Sequence, residues 1–195
     1  MNANGSENIG EDSNGSSRAP TISADGQSVA WETESKNLLA GAPSPCAATV
    51  STEIMLRNLL TGVTQRMSAP ASPVDCGAAG HGSRKLKADW KGRRVVFEST
   101  QALKPGDANG VSDVFLFDLD TRSMTRVSET AASGDAVGAS TEPTISGDGE
   151  MVAFVSAAAN LDGSDPDING FADAHVRSMS GGANPIRRLS RTRRR

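Results

Sequence analysis

The feature that most constrains this chain is a twelve-residue phrase written twice. Near the start it runs Pro20-Thr21-Ile22-Ser23-Ala24-Asp25-Gly26-Gln27-Ser28-Val29-Ala30-Trp31, and in the last third Pro143-Thr144-Ile145-Ser146-Gly147-Asp148-Gly149-Glu150-Met151-Val152-Ala153-Phe154. A short strand, a tight Asp-Gly turn and a second, apolar strand spell a β-hairpin, the strongest short-range hairpin signal. A partial third copy lies between them. Aligning Gly26, Gly92 and Gly149 brings Trp31, Phe97 and Phe154 into register, and with them Ser17, Ser83 and Ser140. In the middle copy Leu86, Asp89 and Lys91 stand where the first has Pro20, Ser23 and Asp25, so its hairpin opening reads as degraded. A hairpin repeated along a chain makes a repeat protein, and that decides the fold class.

The rest of each unit fits the same plan. The first is expected to hold strands at Arg18–Ser23, Ser28–Thr33, Glu53–Leu59 and Val63–Ser68. The second has an apolar strand around Val95, Val96 and Phe97, a third strand at Asp113–Leu119 and a fourth at Thr125–Ser128. The third runs from Ser140 through Phe154 and Asp173–Val176 to Arg188-Leu189-Ser190. The closing triplets Arg66-Met67-Ser68, Arg126-Val127-Ser128 and Arg188-Leu189-Ser190 follow Glu53, Asp113 and Asp173 by 13, 13 and 15 residues. Four strands per unit is the composition of a propeller blade. The expected architecture is all-β: about three four-stranded blades over 17–68, 83–128 and 140–190, behind a flexible lead-in of residues 1–16 and ahead of a basic tail, 191–195. Twenty glycines, nine prolines and only 4% aromatic residues agree with many short strands joined by turns.

The order Pro-Thr-Ile-Ser-x-Asp-Gly-x-x-Val-Ala-Phe, the strand carrying Asp113, Val114, Phe115 and Asp118, and the closing Arg-Val-Ser together resemble the TolB-like β-propeller repeat. The likeness covers most of the chain from Ser16 to Ser190. It implies an extracytoplasmic binding or scaffolding propeller, or an accessory to a separate hydrolase domain, and it transfers no catalytic residue. Closed propellers have about four to eight blades. Three leave open sheet edges, so the chain is expected to be a piece of a longer gene product or to self-associate through those edges.

Charge and composition exclude other classes. The formal net charge is −3, and it becomes −9 once the six arginines between positions 187 and 195 are set aside. An acidic body with a basic end does not suit nucleic acid. No apolar run is long enough for a transmembrane helix, and residues 1–14 lack the pattern of a signal peptide. The compartment stays open between periplasmic or extracellular, by the resemblance, and cytoplasmic. Cys46 and Cys76 fall in loops that this strand order puts on one face, where they either form a disulfide or remain two thiols.

One constellation points to chemistry. Asp107, Asn109, Gly110 and Asp113 recur as Asp167, Asn169, Gly170 and Asp173, with Asp165 nearby. Oxygen side chains at alternating positions around a glycine suit a hard cation, which makes calcium the candidate ion. Asn-Gly turns whose aspartates cap backbone amides fit the same residues. The first unit keeps only Glu53 at the Asp113 position. Elsewhere the chemistry is thin. The Ser-x-Asp-Gly hairpins resemble the sialidase Asp-box only superficially, and the chain has no tyrosine. His81 and His175 are isolated, the latter on a strand, and no serine sits in a nucleophile elbow. Arg187-Arg188-Leu189-Ser190 has the form of a kinase site but also closes the third repeat. The expected work is a non-enzymatic scaffold that binds a protein or glycan partner through loops on one face, with loops stiffened by calcium. The alternative is the propeller part of a secreted or periplasmic peptidase or glycosidase whose catalytic domain lies elsewhere.

Overall fold

A computed structural model describes residues 13–39, 44, 46, 51–70, 76, 82–130, 132–164, 167–181 and 186–190. They form three four-stranded antiparallel sheets, with no α-helix among the described residues. The first sheet holds β1 (Ser17–Ile22), β2 (Ser28–Thr33), β3 (Glu53–Asn58) and β4 (Thr64–Arg66). The second holds β5 (Ser83–Ala88), β6 (Arg94–Ser99), β7 (Asp113–Asp118) and β8 (Ser123–Arg126). The third holds β9 (Ser140–Ile145), β10 (Met151–Ser156), β11 (Asp173–Ser178) and β12 (Ile186–Arg188). Each sheet is a meander in sequence order. The fold is all-β and propeller-type, and the three blades do not close on themselves.

The hairpin turns differ in detail from the tight Asp-Gly turn of the sequence reading. Ser23 N–H donates to Ser28 O, and Gly26 N–H to Ser23 O, both at 2.9 Å, so Asp25 and Gly26 sit inside a longer loop with Gly26 left-handed at φ 69°. The reason is local. The Asp25 carboxylate accepts from the Ser23 hydroxyl and from Gln27 N–H, while Ser23 Oγ accepts from Ser28 N–H. Asp148 and Ser146 repeat the arrangement with Glu150 and Met151. These hydrogen bonds hold both aspartates below the usual carboxylate range, the serine hydroxyl first in each case.

The middle hairpin is compensated rather than degraded. Asp89 Oδ1 alone accepts from Arg93 N–H at 2.8 Å and Arg94 N–H at 3.2 Å, the two amides that the Ser–Asp pair shares in the other blades. One carboxylate does both tasks, which leaves position 91 free to be an exposed lysine.

The fourth strands lie earlier than expected. β8 ends at Arg126 and β12 at Arg188, because the serines that follow turn their hydroxyls back onto the sheet. Ser68, Ser128 and Ser190 Oγ accept from Ile54, Val114 and Ala174 N–H at 2.8, 3.0 and 2.8 Å.

Packing explains the imperfect alternation of the central strands. The middle sheet is covered on both faces. Val95, Phe97 and Phe115 face the first sheet with Ala30, Ile54, Leu56 and Met67. Val96, Val114 and Leu116 face the third with Val152, Phe154 and Ile186. A strand covered on both faces reads as a continuous apolar run. Phe97 and Phe115, opposite each other across β6 and β7, stack with centroids 6.2 Å apart and are fully buried. Burial of such a side chain contributes roughly 2–3 kcal/mol.

Polar contacts between blades recur in register. At the hairpin tips Ala24 N–H donates to Trp90 O and Trp90 N–H to Gly147 O. Trp90 lies so close to Gly147 that a Cβ there would come within 2.2 Å of the indole. At the opposite end Ser83 N–H donates to Thr52 O and Ser140 N–H to Ser112 O, at 2.8 and 2.7 Å.

The compensation in the middle hairpin is open to test. Asp89→Ser should lower stability by about 1 kcal/mol, the net worth of the hydrogen bonds that its carboxylate makes to two part-buried amides. Adding Lys91→Asp, which rebuilds the pair used by the other blades, should recover most of it in urea melts. No loss in the single variant, or no recovery in the double, would break the account.

Candidate functional site

The loop ends of the sheets carry one arrangement three times. An acid opens the third strand, an arginine closes the fourth, and a serine follows. In the second blade the Arg126 guanidinium is 3% exposed. It reaches Asp135 at 2.5 Å, Asp107 at 3.3 Å and Asp113 at 3.9 Å. The Ser128 hydroxyl donates to Asp113, and Asn109 Nδ2 donates to the same carboxylate at 2.9 Å. In the third blade Arg188 reaches Asp167 at 2.8 Å and Asp173 at 3.1 Å, and Ser190 donates to Asp173. In the first blade Glu53 takes Arg66 at 2.8 Å, Lys36 at 3.3 Å and the Ser44 hydroxyl.

The residues proposed from sequence as calcium ligands therefore meet as pairs of loop and strand acids, Asp107 with Asp113 and Asp167 with Asp173, each pair around an arginine. Among the described residues no group of three or more His, Cys, Asp or Glu is disposed to hold a metal ion. Asp165 lies outside the described residues. Asn109 and Asn169 turn their Oδ1 atoms onto Val111 and Phe171 N–H, at 3.1 and 2.7 Å. The arginines escaped the sequence reading as site residues, although their fixed distance from the opening acid was the signal. Strand pairing turns that distance into contact, since Arg126 lies opposite Phe115, two residues from Asp113.

The charge balance differs between blades. Among the described residues, Lys36 and Arg66 both meet Glu53 in the first, whereas three carboxylates share one guanidinium in the second. Burial, then the charge of Asp113, pushes the Asp107 carboxyl up to about 6, against the opposing pull of Arg126. Burial also raises Asp113, against the pull of Ser128 and Asn109. A proton on Asp107 is one relief for the surplus of negative charge.

Cys46 and Cys76 are joined, with Cα atoms 5.5 Å apart and both residues buried. Gln101, 1% exposed and from the second blade, donates to Cys46 Sγ at 3.3 Å and Cys76 O at 3.4 Å. The bridge thus ties the β2–β3 loop to the connection into the second blade. His175 is buried and stacked on Phe154, 5.8 Å between centroids, with Nδ1 3.1 Å from Asp173 O. Burial lowers its pKa. His81 and the tail 191–195 lie outside the described residues. In the kinase-like stretch, Arg187 and Arg188 lie in β12, and the Ser190 hydroxyl is engaged by Asp173.

No family model matches the sequence, and no curated protein matches it. Solved structures do. The tricorn protease matches with a TM-score of 0.51 and 14% identity, over 90% of this chain and 15% of that one. The β-propeller domain of the trilobed protease from Pyrococcus furiosus, described as having an open velcro topology, matches with a TM-score of 0.51 and 10% identity, over 92% and 43%. A TolB from Agrobacterium tumefaciens matches with a TM-score of 0.46 and 16% identity, over 88% and 49%. At such identities the first two speak for the propeller fold alone. The chain spans less than half the length of each of these three.

Two measurements probe this end of the molecule. A carboxyl whose pKa is raised on folding adds stability that is full below its ordinary value and is lost as pH rises through about 6. The melting temperature should therefore fall between pH 4 and pH 7, and Asp107→Asn should flatten that fall; parallel curves would acquit Asp107. Reduction of the disulfide should cost about 3 kcal/mol, read as a lower melting temperature in dithiothreitol. Superimposed melts would mean the bridge restrains nothing.

Proposed function

We propose that this chain is a non-catalytic propeller scaffold that presents the loops at the arginine-cluster end of its sheets to a protein or glycan partner. The observation that carries this reading is the contrast between what fixes those loops and what they display. Buried Arg126 and Arg188 hold the β6–β7 and β10–β11 loops from beneath. At the same end Ile168 and Phe171 are 90% and 74% exposed, and Val137 is 72% exposed. Large apolar side chains kept in water on a pinned loop are characteristic of a surface that awaits a partner. In this reading the guanidinium groups do the stiffening that the sequence assigned to calcium. The disulfide favours an oxidising compartment, periplasmic or extracellular.

The peptidase structures among the neighbours support a second reading, in which the chain is the propeller part of a secreted or periplasmic hydrolase. In both readings the loop end does the binding, and they part on whether a catalytic domain shares the polypeptide.

The test is binding to glycan and peptide arrays by the wild type and by an Ile168→Ser/Phe171→Ser variant, with melts in calcium and in excess chelator alongside. We expect binding to drop at least tenfold in the variant at an unchanged melting temperature, and the two melts to coincide. Binding that ignores the loop change would defeat the loop-end reading. A melting point several degrees higher in calcium would return these carboxylates to the metal, because a ligand stabilises the state that binds it.

A further inference from the structure

The blades are joined by a latch that repeats in register, and the register says what the outer face of the first blade is built to receive. The first strand of every blade has a bulge: pairing slips between Arg18 and Thr21, between Arg84 and Lys87, and opposite Ala153 to Val155. In each bulge one non-glycine residue is left-handed: Ala19 at φ 50°, Lys85 at 55° and Glu142 at 53°. Side chains rarely adopt this conformation, and it costs roughly 1–2 kcal/mol. Twice the structure shows what it is for. Lys85 N–H donates to Glu32 Oε1 at 2.6 Å, and Glu142 N–H to Glu98 Oε2 at 3.0 Å. Glu32 and Glu98 each occupy the fifth position of the second strand of the preceding blade, 5% and 6% exposed. Ala19 has the same strained conformation, and no blade stands before it among the described residues.

Beside it the apolar seat is also unfilled. Val95 and Phe97 of the second blade, and Val152 and Phe154 of the third, are buried against the blade before them. Their counterparts Val29 and Trp31 are only half-buried, and with Ser17, Arg18 and Pro20 they line a cavity of about 330 Å³.

We propose that this face docks a further four-stranded blade, one whose second strand carries a glutamate at its fifth position, which accepts from Ala19 N–H while an apolar face covers Trp31 and Val29. None of the three described blades supplies that glutamate. Glu32 and Glu98 are engaged, and the equivalent position of the third blade is Val155. A second copy stacked head to tail would bring a hydrocarbon where the carboxylate belongs. The surface is the side of the first sheet, so the inference is read by association state and is independent of the loop-end binding proposed above.

The test supplies the missing acceptor. Val155→Glu puts a carboxylate on the outer face of the third blade, at a half-buried position equivalent to Glu32 and Glu98. By sedimentation equilibrium the wild type and a Val155→Leu control should remain monomeric, whereas Val155→Glu should associate at least tenfold more tightly. Trp31→Ser added to Val155→Glu should return it to monomer; Val29→Ser serves if that double variant does not melt cooperatively. The proposal is overturned if Val155→Glu stays as monomeric as the wild type. It is equally overturned if the wild type or the leucine control associates as strongly, since apolar contact alone would then suffice, or if association survives loss of the seat.

Discussion

A twisted four-stranded sheet whose two faces are both apolar cannot hide them by itself, and every other property of this chain follows from that need for a neighbour on each side. The middle sheet has its two neighbours, and its inner strands β6 and β7 are largely buried. Among the described residues the outer sheets have one each. Where the second sheet presents Val96, Val114 and Leu116 to its follower, the third presents Ala153, Ala174 and Val176, which stay partly or largely exposed. The inner contacts combine apolar interdigitation with a few polar bonds set at both ends of the sheet. Apolar area supplies the driving force. The repeated backbone bonds at the hairpin tips and loop ends, and the glutamate latch, fix the angle at which one blade meets the next.

Much of this was legible in the residues. The hairpin phrase, the aligned aromatic positions and the spacing of the closing triplets placed strands that the structure draws within a few residues. These signals survive because they are local: a turn, a period of two and a repeat are properties of the chain before it folds. What was not legible depends on partners distant in sequence. The change of Ser23 and Asp25 to Asp89 and Lys91 looks like decay when positions are compared one by one. It becomes intelligible only when the amides of Arg93 and Arg94 are seen to share a single carboxylate. The Asp-x-Asn-Gly-x-x-Asp loops carry the oxygen pattern of a cation site, yet nothing in the pattern names the cation. In the structure Arg126 and Arg188, at the end of the neighbouring strand, lie among these carboxylates, a contact that only strand pairing reveals.

The clusters also show how a repeat tolerates change at a buried charged position. Glu53 is longer than Asp113 or Asp173 and reaches Arg66 Nε directly, at 2.8 Å. In the second blade the shorter acid leaves Arg126 Nε without a hydrogen-bond partner, and the loop aspartates approach the terminal nitrogens instead. Removing one partner of such a group strands the others in a poorly solvated place, commonly at 3–5 kcal/mol. That asymmetry favours exchanges in sets, and the first blade, with Lys36 and Ser44 where the others have loop aspartates, is one such set.

Each ladder of strand hydrogen bonds is complete within its own sheet, and the blades touch through side chains, one isolated bridge at Thr52 and Gly82, and a handful of backbone bonds. A genetic duplication or deletion of one unit therefore shifts no strand pairing inside any other. Its cost falls on a single seam, the one place where two blades that had not met before must fit. Lineages carrying such a chain can vary blade number by recombination and afterwards refine one interface at a time.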